Sequence, residues 1–373
     1  MTKTILISGA SVAGPALAYW LRRHGFTPTV VERAPAIREG GHAIDLRGAA
    51  LRVAERMGLL DRVRAASTNM RGMSIVDASG AELMRNTEET LTGGHKDLDS
   101  VELMRDDLVR MLFDATRDVE YLFDDSIAAL AQHDEGVRVS FANGPPRTFD
   151  LVVGADGLHS NVRTLVFGEE SGFVHHLGQH LAVFDSENFL GLDHWQVFHF
   201  GEDRMIGAYS ARANAELRIM LGWGSEPLSI HHRDVEAQKD YVAKKFAGVG
   251  WEMPRMLEAM RRTTRFYFDS MSQVRMPGWS KGRTVLVGDA AFAPSPLSGQ
   301  GTSLAFVGAY VLTDELAAAG GDHARAFAEY ERRMRPFVEL NQALAHESIA
   351  AKAPPSRESV ERAIHAIDLS RAA

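Results

Sequence analysis

The 373-residue sequence contains no cysteine, which excludes disulfides, thiolate metal sites, a cysteine nucleophile and any cofactor tethered through cysteine. Acidic residues outnumber basic ones by 49 to 41, giving a formal charge of −8, so the bulk basic surface that binds nucleic acid or anionic membrane is not expected. No apolar run approaches the roughly 20 residues of a membrane-spanning helix, and the first 14 residues lack the pattern of a signal peptide. We therefore expect a cytoplasmic protein with no nucleic-acid or membrane partner.

The sequence also lacks a metal-binding motif. Its 15 histidines form no HExxH motif. The adjacent pairs, His175-His176 and His231-His232, point apart in either a strand or a helix. No metal site is predicted.

The first 32 residues have a strand, helix, strand pattern. Thr4–Ser8 is a short apolar run typical of a buried parallel strand, residues 16–24 have helical spacing, and residues 29–32 form a second apolar run. Such a unit is the minimal mononucleotide-binding fold.

The turn after the first strand reads Gly9-x-Ser11-x-x-Gly14, which is the dinucleotide fingerprint with serine at its middle position. Glu32 follows Gly14 by 18 residues, at the end of the second strand. A carboxylate at that position accepts hydrogen bonds from ribose hydroxyls, which suits FAD or NAD better than NADP. A plain strand-turn-helix connection is the alternative interpretation.

Two later apolar runs end in similar turns. Asp156-Gly157 follow the first of them, although a polar turn that caps the next helix has the same pattern. Gly288-Asp289 follow the second, and the segment 296–301 (Pro-x-x-Gly-Gln-Gly) then opens a helix. A carboxylate at a strand end can accept from a sugar or ribityl hydroxyl, and a glycine-rich helix N-terminus offers amide N–H groups to an electron-rich ring edge.

Alternating apolar and polar residues between these turns, as in residues 194–200, predict an antiparallel sheet with one wet face. We predict an α/β protein with a Rossmann-like, discontinuous nucleotide-binding domain and an inserted, mostly antiparallel substrate-binding sheet. The predicted bounds are 1–70, 101–170 and 280–350 for the nucleotide domain, 71–100 and 171–279 for the sheet domain, and 351–373 for a C-terminal helix. Within the first domain, residues 101–112 are predicted to be helical.

The C-terminal segment has a proline pair at 354–355, followed by an amphipathic stretch at about 356–369. Its apolar stripe, Val360, Ile364 and Ile367, packs either across both domains, which we favour, or against another copy of the chain. A monomer and a homodimer therefore both remain open.

Taken together, the three turns resemble the signatures of the FAD-dependent aromatic hydroxylases, the class A flavoprotein monooxygenases, over about residues 3–320. Two further segments, Gly40-Gly41-x-x-Ile44-Asp45-Leu46 and Met104-Arg105-Asp-Asp-Leu108, resemble the branch that contains tetracycline-inactivating and polyketide-tailoring monooxygenases. Two departures from the family pattern are Ser11 for the middle glycine and Ser303 for an asparagine.

The resemblance implies FAD as cofactor and NADPH or NADH as electron donor. By position, Glu32 would bind the adenosine ribose, Arg105 the pyrophosphate or ribityl region, Asp289 the ribityl chain, and Asp45 the flavin, while Arg38 would contact NADPH. The implied cofactor-binding residues are Gly9, Ser11, Val12, Ala13, Gly14, Glu32, Arg33, Arg38, Asp45, Arg105, Asp156, Gly157, Gly288, Asp289, Pro296, Gly299, Gln300 and Gly301.

The implied activity is hydroxylation of an aromatic or polycyclic small molecule, such as an antibiotic or polyketide. The donor would reduce FAD, O2 would add at flavin C4a, and the resulting hydroperoxide would hydroxylate an electron-rich carbon. No catalytic side chain is predicted, because the flavin carries the chemistry. The protein would hold the ring and exclude water.

Substrate contacts are expected from the antiparallel sheet and from basic side chains that could bind a phenolate or carboxylate. Each aromatic candidate has packing beneath helices as its alternative role. The candidates are His42, Arg47, Trp195, Phe198, Phe200, Tyr209, Arg218 and Met220.

Three alternative functions use the same fold or pocket. A flavin-dependent halogenase normally carries a Trp-x-Trp motif, and no two of the five tryptophans here stand two residues apart. A flavin-dependent reductase of isoprenoid double bonds would show the same three turns, so only an assay separates it. A non-catalytic protein that sequesters a planar ligand is the third.

Overall fold

The computed structural model describes residues 3–370 except residues 39, 93, 96 and 97. The strands in chain order are β1 (Thr4–Ser8), β2 (Thr27–Glu32), β3 (Ala43–Arg47), β4 (Gly72–Val76), β5 (Glu82–Asn86), β6 (Glu89–Thr90), β7 (Gly94–His95), β8 (Ser100–Met104), β9 (Glu120–Phe123), β10 (Ile127–His133), β11 (Gly136–Phe141), β12 (Arg147–Phe149), β13 (Leu151–Gly154), β14 (Val174–Glu187), β15 (Trp195–Phe200), β16 (Arg204–Ala211), β17 (Glu216–Gly224), β18 (Phe266–Val274), β19 (Ser280–Lys281) and β20 (Thr284–Leu286).

The α-helices in chain order are α1 (Ala13–Arg23), α2 (Ala49–Arg56), α3 (Leu60–Ala65), α4 (Arg105–Asp114), α5 (Asn161–Phe167), α6 (Val235–Lys245), α7 (Met253–Arg262), α8 (Asp289–Phe292), α9 (Gly301–Ala318), α10 (His323–Ala351) and α11 (Arg357–Ile364). Short 3₁₀ turns occupy Glu170–Gly172 and Pro296–Ser298. Among the helices of the described ranges, none is both long and apolar enough to cross a membrane.

The first sheet has six strands in the order β19-β20-β13-β1-β2-β9, and all pairs except β19–β20 are parallel. Its central strands are near-continuous apolar runs, because parallel sheets are covered by helices on both faces. The strands come from five separated parts of the chain, and helices α1 and α9 pack against one another. The predicted Rossmann-like α/β class is confirmed.

The second sheet has seven strands in the order β18-β14-β17-β16-β15-β4-β5, and every pair is antiparallel except β15–β4. This is the mostly antiparallel sheet that the alternating residues predicted. Helices α6 and α7 cover one of its faces. The exact domain bounds stay a prediction.

The prediction of a helix over residues 101–112 is wrong for the first four residues. Ser100–Met104 forms strand β8, which pairs with β3, and α4 begins only at Arg105. This two-stranded ladder lies between the two large sheets. It supplies residues to both halves of the site described below.

The final helix is shorter than predicted and ends at Ile364 rather than near residue 369. Its apolar residues pack with Leu98 and Leu344 of the same chain. The carbonyl of Ile364 lies so close to Gly48 that a Cβ there would be 2.6 Å from it. The end of the chain therefore rests on the turn that follows β3.

Candidate active site

The turn between β1 and α1 brings backbone close to backbone. Gly9 has φ +106, and a Cβ there would lie 2.5 Å from the carbonyl oxygen of Ala155. A Cβ on Gly14 would lie 1.9 Å from the carbonyl oxygen of Gly9. Helix α1 has no side-chain cap and no acidic residue in its first turn, so its N-terminal amides and positive dipole end can bind an anion.

Glu32 is buried at the end of β2, and its side chain reaches the turn between β1 and α1. Its Oε2 accepts from the backbone N–H of Ala10 at 2.8 Å, and its Oε1 accepts from that of Ala34 at 2.9 Å. The two bonds fix the carboxylate, and each oxygen keeps a lone pair for a further donor.

Arg105, the first residue of α4, reaches the same turn. Its Nη1 donates to Ser11 Oγ at 3.1 Å and its Nη2 to the carbonyl of Gly40 at 3.2 Å. Arg38 lies on the other side. One cavity in this region is lined by Ala10, Ser11, Glu32, Ile37, Arg38, Arg105 and Val109.

Asp156 is bonded within its own turn. Its carboxylate accepts from Ser160 Oγ at 2.5 Å, from the N–H of Val162 at 3.1 Å and from Ser8 Oγ at 3.4 Å. Burial raises the pKa of this carboxyl, opposed by the bond from Ser160. These contacts are those of a helix-capping turn, the alternative interpretation of this motif, while Gly157 has φ +84 and open space around it.

Asp289 starts α8 after the left-handed residue Gly288 (φ +64). Burial, together with the nearby carboxylate of Asp269, raises the pKa of Asp289 to about 6. A Cβ on Gly301 would lie 3.7 Å from Asp289 Oδ1. The start of α9 and the Asp289 carboxylate therefore face one another.

Arg163 supports this corner, a role that no pattern in the sequence indicated. It is fully buried, and its Nη1 donates to the carbonyl of Ala290 at 3.0 Å. Its Nη2 donates to the carbonyl of Leu158 at 2.6 Å and to Glu170 Oε2 at 3.1 Å. The guanidinium thus ties the Asp156 turn to the Asp289 turn.

The segment before α9 is strained and tightly bonded. Ser295 is buried at φ +76, and its Oγ accepts from the N–H of Leu297. Gly299 follows at φ +65, and Gln300 caps α9 without a side-chain bond to the helix. Both polar atoms of the Gln300 side chain are buried without a partner in the described chain. Such orphaned groups mark a place where a polar ligand belongs.

The β3 strand runs beside this helix start. Ser303 Oγ donates to the carbonyl of Asp45 at 3.2 Å and accepts from the N–H of Arg47 at 3.2 Å. Arg47 Nη2 donates to Asp45 Oδ2 at 3.0 Å. A Cβ on Gly299 would lie 3.4 Å from Arg47 Nη1, so Arg47 borders the helix start. Its role as a substrate contact stays a prediction.

The residues around these turns fit FAD. The α1 amides and Glu32 suit the pyrophosphate and ribose, Asp289 suits a ribityl hydroxyl, and the uncapped start of α9 with the orphaned Gln300 amide suits the polar edge of the flavin ring. Their individual roles stay predictions.

The seven-stranded sheet turns one face toward this corner. Cross-strand partners share a face, and Met220 pairs with Val183 on one side and Gly207 on the other. Leu297, from the segment before α9, packs against this face. Its apolar members near Leu297 are Leu181, Val183, Met205, Met220, Tyr267 and Met271.

The opposite face is occupied by helices. Alternate residues of the same strands, among them Phe184, Ile219 and Trp223, pack against α6 and α7. We call these the site face and the helix face.

Trp195 was wrongly predicted to share a pocket with Phe198. Residues three apart in a strand point to opposite faces, and Phe198 pairs with Gly207 on the site face. Trp195 Nε1 donates to Ser74 Oγ at 2.9 Å, and its ring lies 4.5 Å from the Arg85 guanidinium. Phe198 is fully buried, whereas Phe200 is 47% exposed.

Three other substrate candidates lie near the site face. Tyr209 is buried, and its hydroxyl accepts from the N–H of Ala43 at 2.7 Å, which joins the sheet to β3. Arg218 is buried, its Nε donates to the carbonyl of Gly41 at 3.0 Å, and its Nη2 has no partner in the described ranges. Burial, with Arg105 nearby, lowers the pKa of His42 to about 4, so at neutral pH it is an uncharged group.

Sequence reasoning missed Gln196 and Tyr267. Gln196 is fully buried and pairs with Tyr209 on the site face, where its Oε1 accepts from the N–H of Leu91 at 3.1 Å and its Nε2 donates to Thr92 Oγ1. Tyr267 lies 5.7 Å from the ring of His42. Counting every second residue from Phe198 would have indicated Gln196.

Comparison with protein families identifies the class of protein. Residues 2–344 match the model of the FAD binding domain family. The chain is 42% identical to a flavin-dependent monooxygenase of an unknown prokaryotic organism, covering 99% of this chain and 98% of the other. The chain therefore belongs to the FAD-binding family of flavin-dependent monooxygenases, which confirms the predicted family and the FAD cofactor.

Two further relatives extend over the whole chain. The uncharacterized protein Rv1260 of Mycobacterium tuberculosis is 52% identical and covers 98% of this chain and 99% of its own. The crystal structure of tetracycline destructase Tet(51) superposes with a TM-score of 0.90 at 34% identity, covering 100% of both chains. The predicted branch of the family is confirmed by this similarity.

Proposed function

We propose that the protein is an FAD-dependent monooxygenase that uses NADPH or NADH and O2 to hydroxylate a flat polycyclic molecule of the tetracycline or aromatic-polyketide type. Its similarity to a tetracycline destructase supports this size and class of substrate. No amino-acid nucleophile is required, since bound FAD supplies hydride acceptance and oxygen activation.

The observation that carries the proposal is the contact between the segment before α9 and the site face. Leu297, three residues before Gln300, packs against the apolar cluster of the site face that contains Met271 and that Met220 also joins. The start of α9 therefore opens onto an apolar wall rich in methionine, a residue that adapts to irregular ligands. We call the start of α9 with the Gln300 amide the ring seat. An apolar wall there would exclude water, which an oxygen-transferring site needs.

The chain's own groups divide the remaining work. Glu32 and the α1 amides hold the nucleotide half of the cofactor. Asp289 would hold the ribityl chain, and the amides that start α9 would stabilise negative charge on the ring.

Arg218 and Gln196 are the polar groups that orient the substrate in this proposal. Both are buried on the site face, and each is held by backbone groups, Arg218 by the carbonyl of Gly41 and Gln196 by the N–H of Leu91. A side chain fixed in this way loses little entropy on binding. The unpartnered Arg218 Nη2 suits an enolate or phenolate oxygen.

The electron donor's phosphates have a candidate site at three exposed arginines, Arg33, Arg38 and Arg233. None of the three forms a salt bridge with a carboxylate of the described residues. Partial burial and the charges of Arg233 and Arg38 lower the pKa of Arg33, so the three cations are close enough to repel one another. A phosphate would relieve that repulsion, and we expect NADPH to be the better donor.

The test is oxygen-dependent turnover by the FAD-loaded protein. NADPH and NADH oxidation are measured with tetracyclines, anthraquinones and simple phenols, and products are weighed by mass spectrometry. A product heavier by one oxygen atom supports the proposal.

Contrary outcomes separate the other candidates. Product heavier by two hydrogens, formed without O2, indicates a reductase. Tight ligand binding without NAD(P)H oxidation indicates a sequestering protein. Protein that takes up no FAD contradicts the proposed function altogether.

A further inference from the structure

Two carboxyl side chains face one another in the β3–β8 ladder beside the ring seat. Asp45 and Glu102 are directly paired in the antiparallel register. Opposed residues project from the same face with Cβ atoms about 4.5–5.5 Å apart. The Asp45 side chain is only 5% exposed, so the pair has little water to screen its repulsion.

The hydrogen bonds around the pair leave one carboxyl oxygen, Asp45 Oδ1, without a donor among the described residues. Glu102 Oε1 accepts from Thr68 Oγ1 and its Oε2 from Thr92 Oγ1, both at 2.5 Å. Asp45 Oδ2 accepts from Arg47, but Asp45 Oδ1 is buried without a partner among the described residues. A buried charged oxygen without a donor is costly, and a proton on Asp45 would remove that charge.

The charges that the described residues place around the pair do not neutralise two carboxylates. Arg47, on β3, is the guanidinium that contacts the pair. Tyr209, on β16, faces Glu102, and burial and that carboxylate raise its pKa above the ordinary value, so the phenol stays neutral. Helix α9 contributes the uncharged Ser303.

The protein environment raises the pKa of both carboxyl groups. Burial raises the pKa of Asp45 to about 7, with Glu102 adding to the rise and Arg47 opposing it. Burial also raises the pKa of Glu102, against the bonds from the two threonines. Two like groups this close titrate as one unit, in two steps.

We propose that Asp45 and Glu102 form a coupled carboxyl pair that takes up one proton from solvent when the bound flavin is reduced and releases it when the flavin is reoxidised. The inference rests on the proposed function, because it needs FAD at the start of α9. Arg47 connects the two sites, since it bonds Asp45 and borders Gly299.

The step balances simply. With dithionite as reductant, two electrons and one proton pass to the flavin, and one further proton passes from solvent to the ionised carboxyl pair. Negative charge arriving at the ring favours the protonated pair through Coulomb repulsion. One extra proton per two electrons makes the reduction equilibrium change by a further tenfold per pH unit, which is 29.6 mV for a two-electron couple.

The experiment measures the reduction potential of the FAD-loaded protein against pH from 6 to 9, by dithionite titration with a reference dye. Wild type is compared with Glu102→Gln, which keeps the shape of the side chain, and with Asp99→Asn, an exposed neighbour on the same segment. Above pH 7 we expect the wild type and Asp99→Asn to show the additional tenfold per pH unit, and Glu102→Gln to lack it. Equal slopes in wild type and Glu102→Gln would overturn the inference.

A second measurement keeps the pair testable without cofactor. In the apoprotein, the raised pKa of Asp45 means that the free energy of unfolding falls as pH rises from about 4 to 7. Glu102→Gln removes the negative charge opposite Asp45, so the unfolding free energy of this variant should fall less over that range. Parallel stability curves for wild type and variant would contradict the coupling between the two carboxyls. Wild type that binds no FAD would contradict the proposed function, while the apoprotein curves still decide the fate of the pair.

Discussion

The two large sheets present their functional groups in different ways. The six-stranded sheet offers backbone, at turns where glycines let chain segments approach within van der Waals contact, as Gly14 does against Gly9. The seven-stranded sheet offers side chains, every second residue of rigid strands. An added atom at Gly9 or Gly14 therefore disturbs the first region, whereas the second tolerates exchange on the site face as long as the helix face stays packed.

The largest effect is expected from Gly14→Ala. A methyl group 1.9 Å from the Gly9 carbonyl cannot fit without moving α1 away from β1. We expect loss of more than about 4 kcal/mol of unfolding free energy and loss of FAD retention, measured by denaturation and flavin absorbance. Gly172→Ala is the control, since nothing lies within 4 Å of its Cβ, and an equal loss in both variants would refute the backbone argument.

The next effect separates the two faces of one strand. Ile219 is fully buried on the helix face, and its neighbour Met220 is half-buried on the site face. Ile219→Ala should cost about 2–5 kcal/mol of unfolding free energy with unchanged substrate KM. Met220→Ala should cost less and raise substrate KM. Denaturation measures the stabilities and steady-state kinetics the KM values. A larger stability loss in Met220→Ala together with a raised KM in Ile219→Ala would show that the two faces are misassigned.

Asp289→Asn should raise the unfolding free energy of the apoprotein and lower its affinity for FAD. The folded-state pKa of about 6 exceeds the ordinary 3.8, so ionisation of Asp289 destabilises the fold as pH rises from about 4 to 6. At pH 7 the apo variant should be more stable by about 1–3 kcal/mol, a difference that vanishes near pH 4. FAD affinity should fall about 10–100-fold, and unchanged affinity would contradict the ribityl contact.

Contacts of His159 at the junction of the two sheets should make the unfolding free energy depend on pH. His159 bonds Asp269 of the sheet and Glu170, and although burial opposes it, these bonds raise the His159 pKa to about 9. The stabilisation is complete below pH 6.5 and is lost as pH rises toward 9. We expect about 1–2 kcal/mol of loss after allowing for its partial exposure. His159→Gln should flatten this part of the stability curve, and an unchanged slope would show that the ion pairs contribute nothing.

The smallest effect is expected from Trp195→Phe. Since Trp195 lies off the site face, substrate KM should stay within about twofold of wild type. Stability should fall by about 1 kcal/mol through loss of the bond to Ser74. A KM change of tenfold or more would restore Trp195 as a substrate contact.

The cofactor-binding half was predictable because its signals are local. A glycine pattern, a strand end and a carboxylate at a fixed spacing locate Gly9, Glu32 and Asp289 within a few residues. The site face was less accessible, since it depends on the register of β14 to β18. Trp195 was misplaced for that reason, and Gln196 was overlooked because a single polar residue in an apolar strand carries no local signal.

The pair of Asp45 and Glu102 was beyond prediction for a further reason. The two residues are 57 positions apart, and Glu102 lies in a segment whose helical spacing concealed strand β8. Only the ladder register brings the two carboxyls together.

The contact between Ile364 and Gly48 has a consequence for synthesis of the chain. A residue near the C-terminus completes the packing of a turn near the N-terminus, and β20 enters the central sheet only after some 280 residues have been made. The start of α9 therefore cannot complete its site on the ribosome before β20 and α9 have been made. Until then β13 has no β20 beside it, and FAD, which needs the start of α9 in this proposal, stabilises the protein only after that stage.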